Sequence, residues 1–127
     1  VTNMSENITR KERDSSLTTP YSVRNRGIQL VCFDGQVPSK ETVSDQGVRK
    51  QTLKALERVR TVAAEAGVSR HELMRTTVYL TDMSQLEEVT QAYDEFFEGQ
   101  RPSRTFVGVK QLPNGATVQI EATGVCD

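Results

Sequence analysis

Arg101-Pro102-Ser103-Arg104-Thr105-Phe106 opens the last structural unit of the chain. Pro113-Asn114-Gly115-Ala116 follows, and then Val118-Gln119-Ile120-Glu121-Ala122. Segments of about Arg104 to Gln111 and Thr117 to Val125 read as two strands, and Asn-Gly between them is a strong hairpin signal. With Asn114 and Gly115 as the turn, Val109 is expected opposite Ile120 and Gly108 opposite Glu121. Strand alternation then sorts the side chains. Thr105, Val107, Val109, Val118 and Ile120 fall on an apolar face. Arg104, Phe106, Gly108, Lys110, Gln119 and Glu121 fall on the other.

Upstream, Leu73 to Leu80 is rich in β-branched residues and reads as a central strand. On one side of it lies a helix from about Asp45 to Ala66. Its apolar stripe is Val48, Thr52, Leu56, Val59, Ala63 and Ala66, and Gly67 is placed as its C-cap. Ser69-Arg70-His71-Glu72 has capping-box spacing and predicts a single helical turn. On the other side, Ser84-Gln85-Leu86-Glu87 predicts the start of a second helix. It runs to about Glu98 with Leu86, Val89, Tyr93, Phe96 and Phe97 inward. Ser22 to Arg24 and Ile28 to Phe33 read as strands around Asn25-Arg26-Gly27, and residues 37 to 44 as a loop. Residues 1–18 are polar and read as a flexible tail. Residues 19–127 then make one domain of order β-β-α-β-α-β-β. Two amphipathic helices can cover one face of one sheet, which gives a two-layer α+β architecture. The uncovered face is left with Arg104, Phe106, Lys110, Gln119 and Glu121. A polar and aromatic face on so small a domain suggests oligomerisation, with ligand clefts at subunit boundaries.

The chain has 127 residues and a formal net charge of -1, from 16 basic and 17 acidic side chains. That balance leaves no basic footprint for nucleic acid. The basic run Arg49, Lys50, Lys54, Arg58 and Arg60 reads as a solvated helix face. No stretch is apolar and long enough for a bilayer span and no signal peptide is visible, so a cytoplasmic location is expected. The two cysteines make no disulfide framework. Cys32 sits in an apolar run and is expected in the core. His71 is the single histidine, and no cluster has metal-ligand spacing.

Arg104 is the foremost candidate for ligand contact. A guanidinium on a strand is a rigid, permanently charged fork that matches a carboxylate. The competing role is a salt bridge, to Glu121 or to a neighbouring subunit. In the hairpin register Arg104 and Glu121 stand four residues apart, roughly 13 Å at the usual rise. That offset disfavours a direct bridge and leaves room for a small ligand. Tyr21 could close a cleft or serve as a core aromatic. Gly35 beside Asp34 could let backbone approach a ligand or simply make a turn. Phe106 could wall a pocket or pack in an interface. Glu121 could act as a general acid or base, whereas Gln119 can hold water but cannot take its proton.

These residues also carry a resemblance. Pro20-Tyr21-Ser22, Gly35-Gln36-Val37-Pro38, Thr76 to Met83, Tyr93-Asp94-Glu95-Phe96-Phe97, Arg101 to Arg104 and Leu112 to Ala122 together resemble the reactive-intermediate (enamine/imine) deaminase family, the YjgF-like or RidA-like proteins. The resemblance covers nearly the whole ordered chain. It implies a chorismate-mutase-like fold and a homotrimer with three intersubunit clefts. It implies hydrolysis of 2-aminoacrylate or 2-iminobutyrate to the 2-oxo acid and ammonia, with no metal or cofactor. Arg104 then matches the arginine that grips the substrate carboxylate, and Tyr21 and Gly35 match residues lining the site.

The chain departs from the family pattern at several of those positions. The water-activating glutamate falls at Gln119. Glu121 matches a more general signature glutamate. A cleft cysteine falls at Phe106, an asparagine of the second helix at Thr90, and the serine before the glycine at Asp34. The segment between Phe97 and Arg104 is shorter than in active members. Two functions are compatible with this pattern. One is an imine hydrolase in which positioning by Arg104 suffices, or in which Asp34 or Glu121 replaces the missing acid. The other is a non-catalytic trimer that binds a small carboxylate or a partner.

Overall fold

The computed structural model describes the backbone of residues 8–11 and 21–126, and the side chains of residues 27–126 except Asp45. The strands are β1 (Ile8–Lys11), β2 (Tyr21–Arg26), β3 (Ile28–Gln36), β4 (Leu73–Leu80), β5 (Ser103–Gly108) and β6 (Val118–Cys126). The helices are α1 (Lys40–Asp45), α2 (Val48–Glu65) and α3 (Leu86–Phe97). One six-stranded mixed sheet has the order β1-β2-β3-β6-β4-β5. The architecture is the expected two-layer α+β fold.

Several local readings match the described structure. Gly27 takes φ +73 in the tight β2–β3 turn, a conformation open to glycine without steric cost. β4 spans the expected residues. Ser69 and Glu72 form the reciprocal capping box, with the Ser69 N–H donating to Glu72 Oε1 at 2.9 Å. The stripe of α2 is buried and wider than expected, because Gln51, Ala55 and Val62 join it. Gln51 is a buried polar residue that makes three hydrogen bonds. Its Oε1 accepts from the Thr117 amide and hydroxyl, each at 3.0 Å, and its Nε2 donates to the Gln46 carbonyl at 3.1 Å. It ties α2 to the approach of β6.

Other readings are corrected. The expected first helix begins later than read, at Val48 rather than Asp45, because Gln46 and Gly47 are extended and separate α2 from a preceding short helix, α1. Ser39 caps α1, which occupies part of the expected loop. The second capping box does not form. Asp82 instead accepts from the Ser84 amide at 3.0 Å, above a 3-10 turn that leads into α3. Within the polar N-terminal segment, Ile8–Lys11 forms an edge strand antiparallel to β2. The rest of residues 1–18 lies outside the described residues.

The largest correction concerns the opening hairpin. β5 and β6 are not neighbours, because β4 stands between them. β5 runs parallel to β4 and β6 antiparallel to it. The Asn-Gly signal reverses the chain direction as read, but in a 3-10 turn over Pro113–Gly115, where Asn114 takes φ 62 and Gly115 φ 69. The connection crosses the end of β4, where Thr81 donates to the Thr117 carbonyl and Val109 to the Leu80 carbonyl. β4 is the strand best suited to a central position, since its Thr76, Val78 and Leu80 are all buried.

This register reassigns the faces of β5. Val78 is paired with both Phe106 and Ile120, and Thr76 with both Arg104 and Ala122. Paired residues share a face, so Arg104 and Phe106 lie on the helix side with Val118 and Ile120. Thr105 and Val107 lie on the open side with Tyr79, Gln119 and Glu121, where Val107 is 36% exposed. Cys32 is likewise exposed rather than in the core, because it alternates with buried Val31 and Phe33. Cys126 is the buried thiol.

Candidate functional site

The candidate residues fall into two groups. The first is built by the β4–α3–β5 unit around Arg104. Its guanidinium carbon lies over the ring of Tyr93 at 4.8 Å and over that of Phe106 at 4.7 Å. Contacts of this kind strengthen as a cation is desolvated, and the side chain is only 12% exposed. Arg104 Nη1 donates to Asp94 Oδ1 at 3.3 Å, and Arg101 Nε lies 3.9 Å from the same oxygen. Beneath them the Tyr93 hydroxyl shares a 2.6 Å hydrogen bond with Thr76 Oγ1, both residues fully buried. Burial pushes the Tyr93 phenol above its ordinary range, against the opposing effects of Thr76 and Arg104. Thr90 is half-buried on α3 one turn before Asp94, on the same side of the helix.

The second group lies on the open face, two strands away. Gln119 and Glu121 both project there from β6. Glu121 Oε1 accepts from the Tyr79 hydroxyl at 2.9 Å, and that bond raises the Tyr79 pKa, with burial and the Glu121 charge adding to it. Gly35 sits beside Gln119 at an irregularity in the β3–β6 pairing between Phe33 and Gln36. The Gln119 amide covers the Gly35 backbone so closely that a Cβ there would fall 2.5 Å from Nε2. Asp34 is exposed next to this point. Tyr21 pairs with Phe33 through the backbone, and its side chain lies outside those described. A depression of about 270 Å³ on this face is lined by Cys32, Arg75, Thr77, Glu121 and Thr123 among others.

Arg104 and the Gln119 group therefore point away from opposite faces of the sheet. The expected separation of Arg104 and Glu121 along one face does not exist. Tyr21 is farther still, since β2 and β5 are four strand spacings apart, roughly 19 Å. Within one chain no small ligand touches both groups. Two contributors escaped the sequence reading. Asp94 faces Arg104 from α3, and its signal was its place directly after the inward Tyr93. Tyr79 engages Glu121, for which the alternation of β4 was the available cue. Among the described residues no group of His, Cys, Asp or Glu is arranged to hold a metal ion, and no helix is long and apolar enough to cross a membrane.

Known proteins share both fold and sequence. The model of the family described as endoribonuclease L-PSP matches residues 13–126. The chain belongs to that family. Similar solved structures include a protein of the YjgF/YER057c/UK114 family from Mycobacterium tuberculosis, with 26% identity and a TM-score of 0.77 over 93% of this chain and 100% of that one. E. coli TdcF, solved with bound serine, has 26% identity and a TM-score of 0.74 over 87% and 89% of the two chains. By sequence, the mouse 2-iminobutanoate/2-iminopropanoate deaminase is 32% identical over 109 residues, 84% of this chain and 81% of its own. The family membership and the YjgF-like fold read from the sequence are thereby borne out.

Proposed function

We propose that this protein hydrolyses a small 2-imino or enamine carboxylic acid to the 2-oxo acid and ammonia. The reaction takes place in the cytoplasm, in clefts between the subunits of a homotrimer, and uses no metal or cofactor of the protein's own. The observation that carries this reading is Arg104, a largely desolvated guanidinium backed by two aromatic rings on an edge strand. Support comes also from relatives named as deaminases of such imines. The division of candidate residues between two sheet faces favours a site completed by a second copy of the chain. One subunit would contribute Arg104, Phe106 and Thr90, and another Gln119, Gly35 and Tyr21.

In this reaction water oxygen adds to C2 of the imine and a water proton passes to the nitrogen. In the resulting carbinolamine the hydroxyl proton passes to the amine nitrogen, the C–N bond breaks, ammonia leaves, and the oxygen's electrons form the carbonyl. Arg104 holds the carboxylate and sets the face of C2 that meets water. Gln119 orients that water through its amide but leaves proton transfer to the imine nitrogen itself, or to Asp34 or Glu121. The second reading is a trimer that binds small carboxylates without turnover. It is favoured by Gln119 in the acid's position and by the engagement of Glu121 with Tyr79. A nucleic-acid substrate is disfavoured by the net charge of -1.

The deciding experiment couples the protein to a pyridoxal-phosphate dehydratase that releases 2-aminoacrylate. Acceleration of 2-oxo acid formation by the wild type, lost in Arg104→Ala, is the expected result. Acceleration seen only with Gln119→Glu would reject turnover by the natural chain in favour of binding.

A further inference from the structure

Arg104 is held by more than its rings, and the additional contact sets what charge the site accepts. The inference rests on the reading of Arg104 as a carboxylate grip. Ring contacts attract a guanidinium by its charge but leave it free to turn. A carboxylate on one edge removes that freedom, because the planar fork donates in fixed directions. Asp94 Oδ1 supplies this contact at 3.3 Å from Nη1. Asp94 itself is about half exposed and is reached by Arg101 at 3.9 Å. Arg101 and Arg104 are therefore no farther apart, measured between those nitrogens, than the two contacts laid end to end.

We infer that Asp94 is a positioning residue for Arg104, that Arg101 is its counter-charge, and that the pair makes the site select singly charged acids over doubly charged ones. Two guanidinium groups meeting one carboxylate leave one net positive charge. A monocarboxylate neutralises it. A dicarboxylate leaves an excess negative charge within a few ångströms of Asp94. Without Arg101, Asp94 would offset Arg104, and the lost attraction would weaken the dianion more than the monoanion. Without Asp94, the two arginines would favour the dianion. Arg101 therefore keeps Arg104 available to a ligand while Asp94 aims it.

The test is calorimetric titration of the full chain with two acids of equal chain length, 2-oxopentanoate and 2-oxoglutarate, at low and high salt. The readout is the ratio of the two affinities, to which a purely structural role of Asp94 is blind. Asp94→Asn is expected to move preference toward 2-oxoglutarate, and Arg101→Gln to move it toward 2-oxopentanoate. Each shift is about threefold or more at low salt and shrinks as salt rises. The double variant restores the local net charge and should restore the wild-type ratio. Asp94→Glu, which keeps the charge, should keep it too. Measurable binding with the same ratio in all four variants would overturn the inference while leaving carboxylate capture intact. Failure of the wild type to bind either acid would overturn carboxylate capture itself, and this inference with it.

Discussion

Replacing Tyr93 by Phe deletes one oxygen from the floor of the Arg104 group and leaves the ring in place. In the wild type that oxygen shares a 2.6 Å hydrogen bond with Thr76 Oγ1, and the two residues are 0% and 1% exposed. Tyr93→Phe strands the threonine hydroxyl out of reach of solvent, which costs about 1–3 kcal/mol. Thr76→Val strands the phenol at a similar cost of about 1–3 kcal/mol. The double variant strands neither group. It should therefore be less destabilised than the sum of the singles, with a coupling of about 1–2 kcal/mol. Urea unfolding followed by circular dichroism measures all four proteins. Protein concentration must be held fixed, since the proposed self-association would add to apparent stability. Additive single effects would refute the pairing and the account of why these polar groups are tolerated in the core.

Three further outcomes follow from the geometry. Gly124→Ala should destabilise the fold by about 1–3 kcal/mol through overpacking, because its Cβ would meet Val68 Cγ1 at 2.8 Å and the Glu72 carbonyl at 3.0 Å; an unchanged urea midpoint would contradict this. Gly35→Ala should cost under about 1 kcal/mol, since the clash is with the Gln119 side chain from Cγ outward and not with backbone. The coupled assay should nonetheless slow with it, and an undiminished rate would show that the seat of Gln119 does not matter. Folding raises the Tyr79 pKa through its bond to Glu121. The stability this contributes is fully present below the unfolded phenol pKa of about 10 and is lost as pH rises through the folded value. Tyr79→Phe should remove that part of the alkaline decline in urea midpoint, and an identical decline in the variant would exclude the assignment.

Local patterns in the sequence specify local structure well here. The stripe of α2, the β-branched run of β4, Gly27 and the Ser69–Glu72 box each depend on residues a few positions apart, and each is found as read. The failures are non-local. Asn114-Gly115 signals that the chain reverses, but no turn residue records whether a third strand will enter the gap. One wrong neighbour then carried Arg104 and Phe106 to the wrong face, since alternation transmits a register error to every side chain of the strand. Cys32 misled for a related reason. In the run Ile28 to Phe33 every residue except Gln29 is apolar, so composition does not reveal which alternate members face the helices. β1 is polar in sequence and is held by backbone pairing with β2, to which composition is a poor guide. The two candidate groups were individually visible, because Arg104, Gln119 and Gly35 stand out by type. Their mutual placement depends on strand order, which the linear text does not encode.

The sheet turns Arg104 and Gln119 in contrary directions, with β4 standing between their strands. Under the proposed function a substrate that needs both is shared between copies, which would make assembly and catalysis a single equilibrium. Dilution would then lower turnover per molecule rather than merely per volume. A saturating acid would drive the copies back together by mass action.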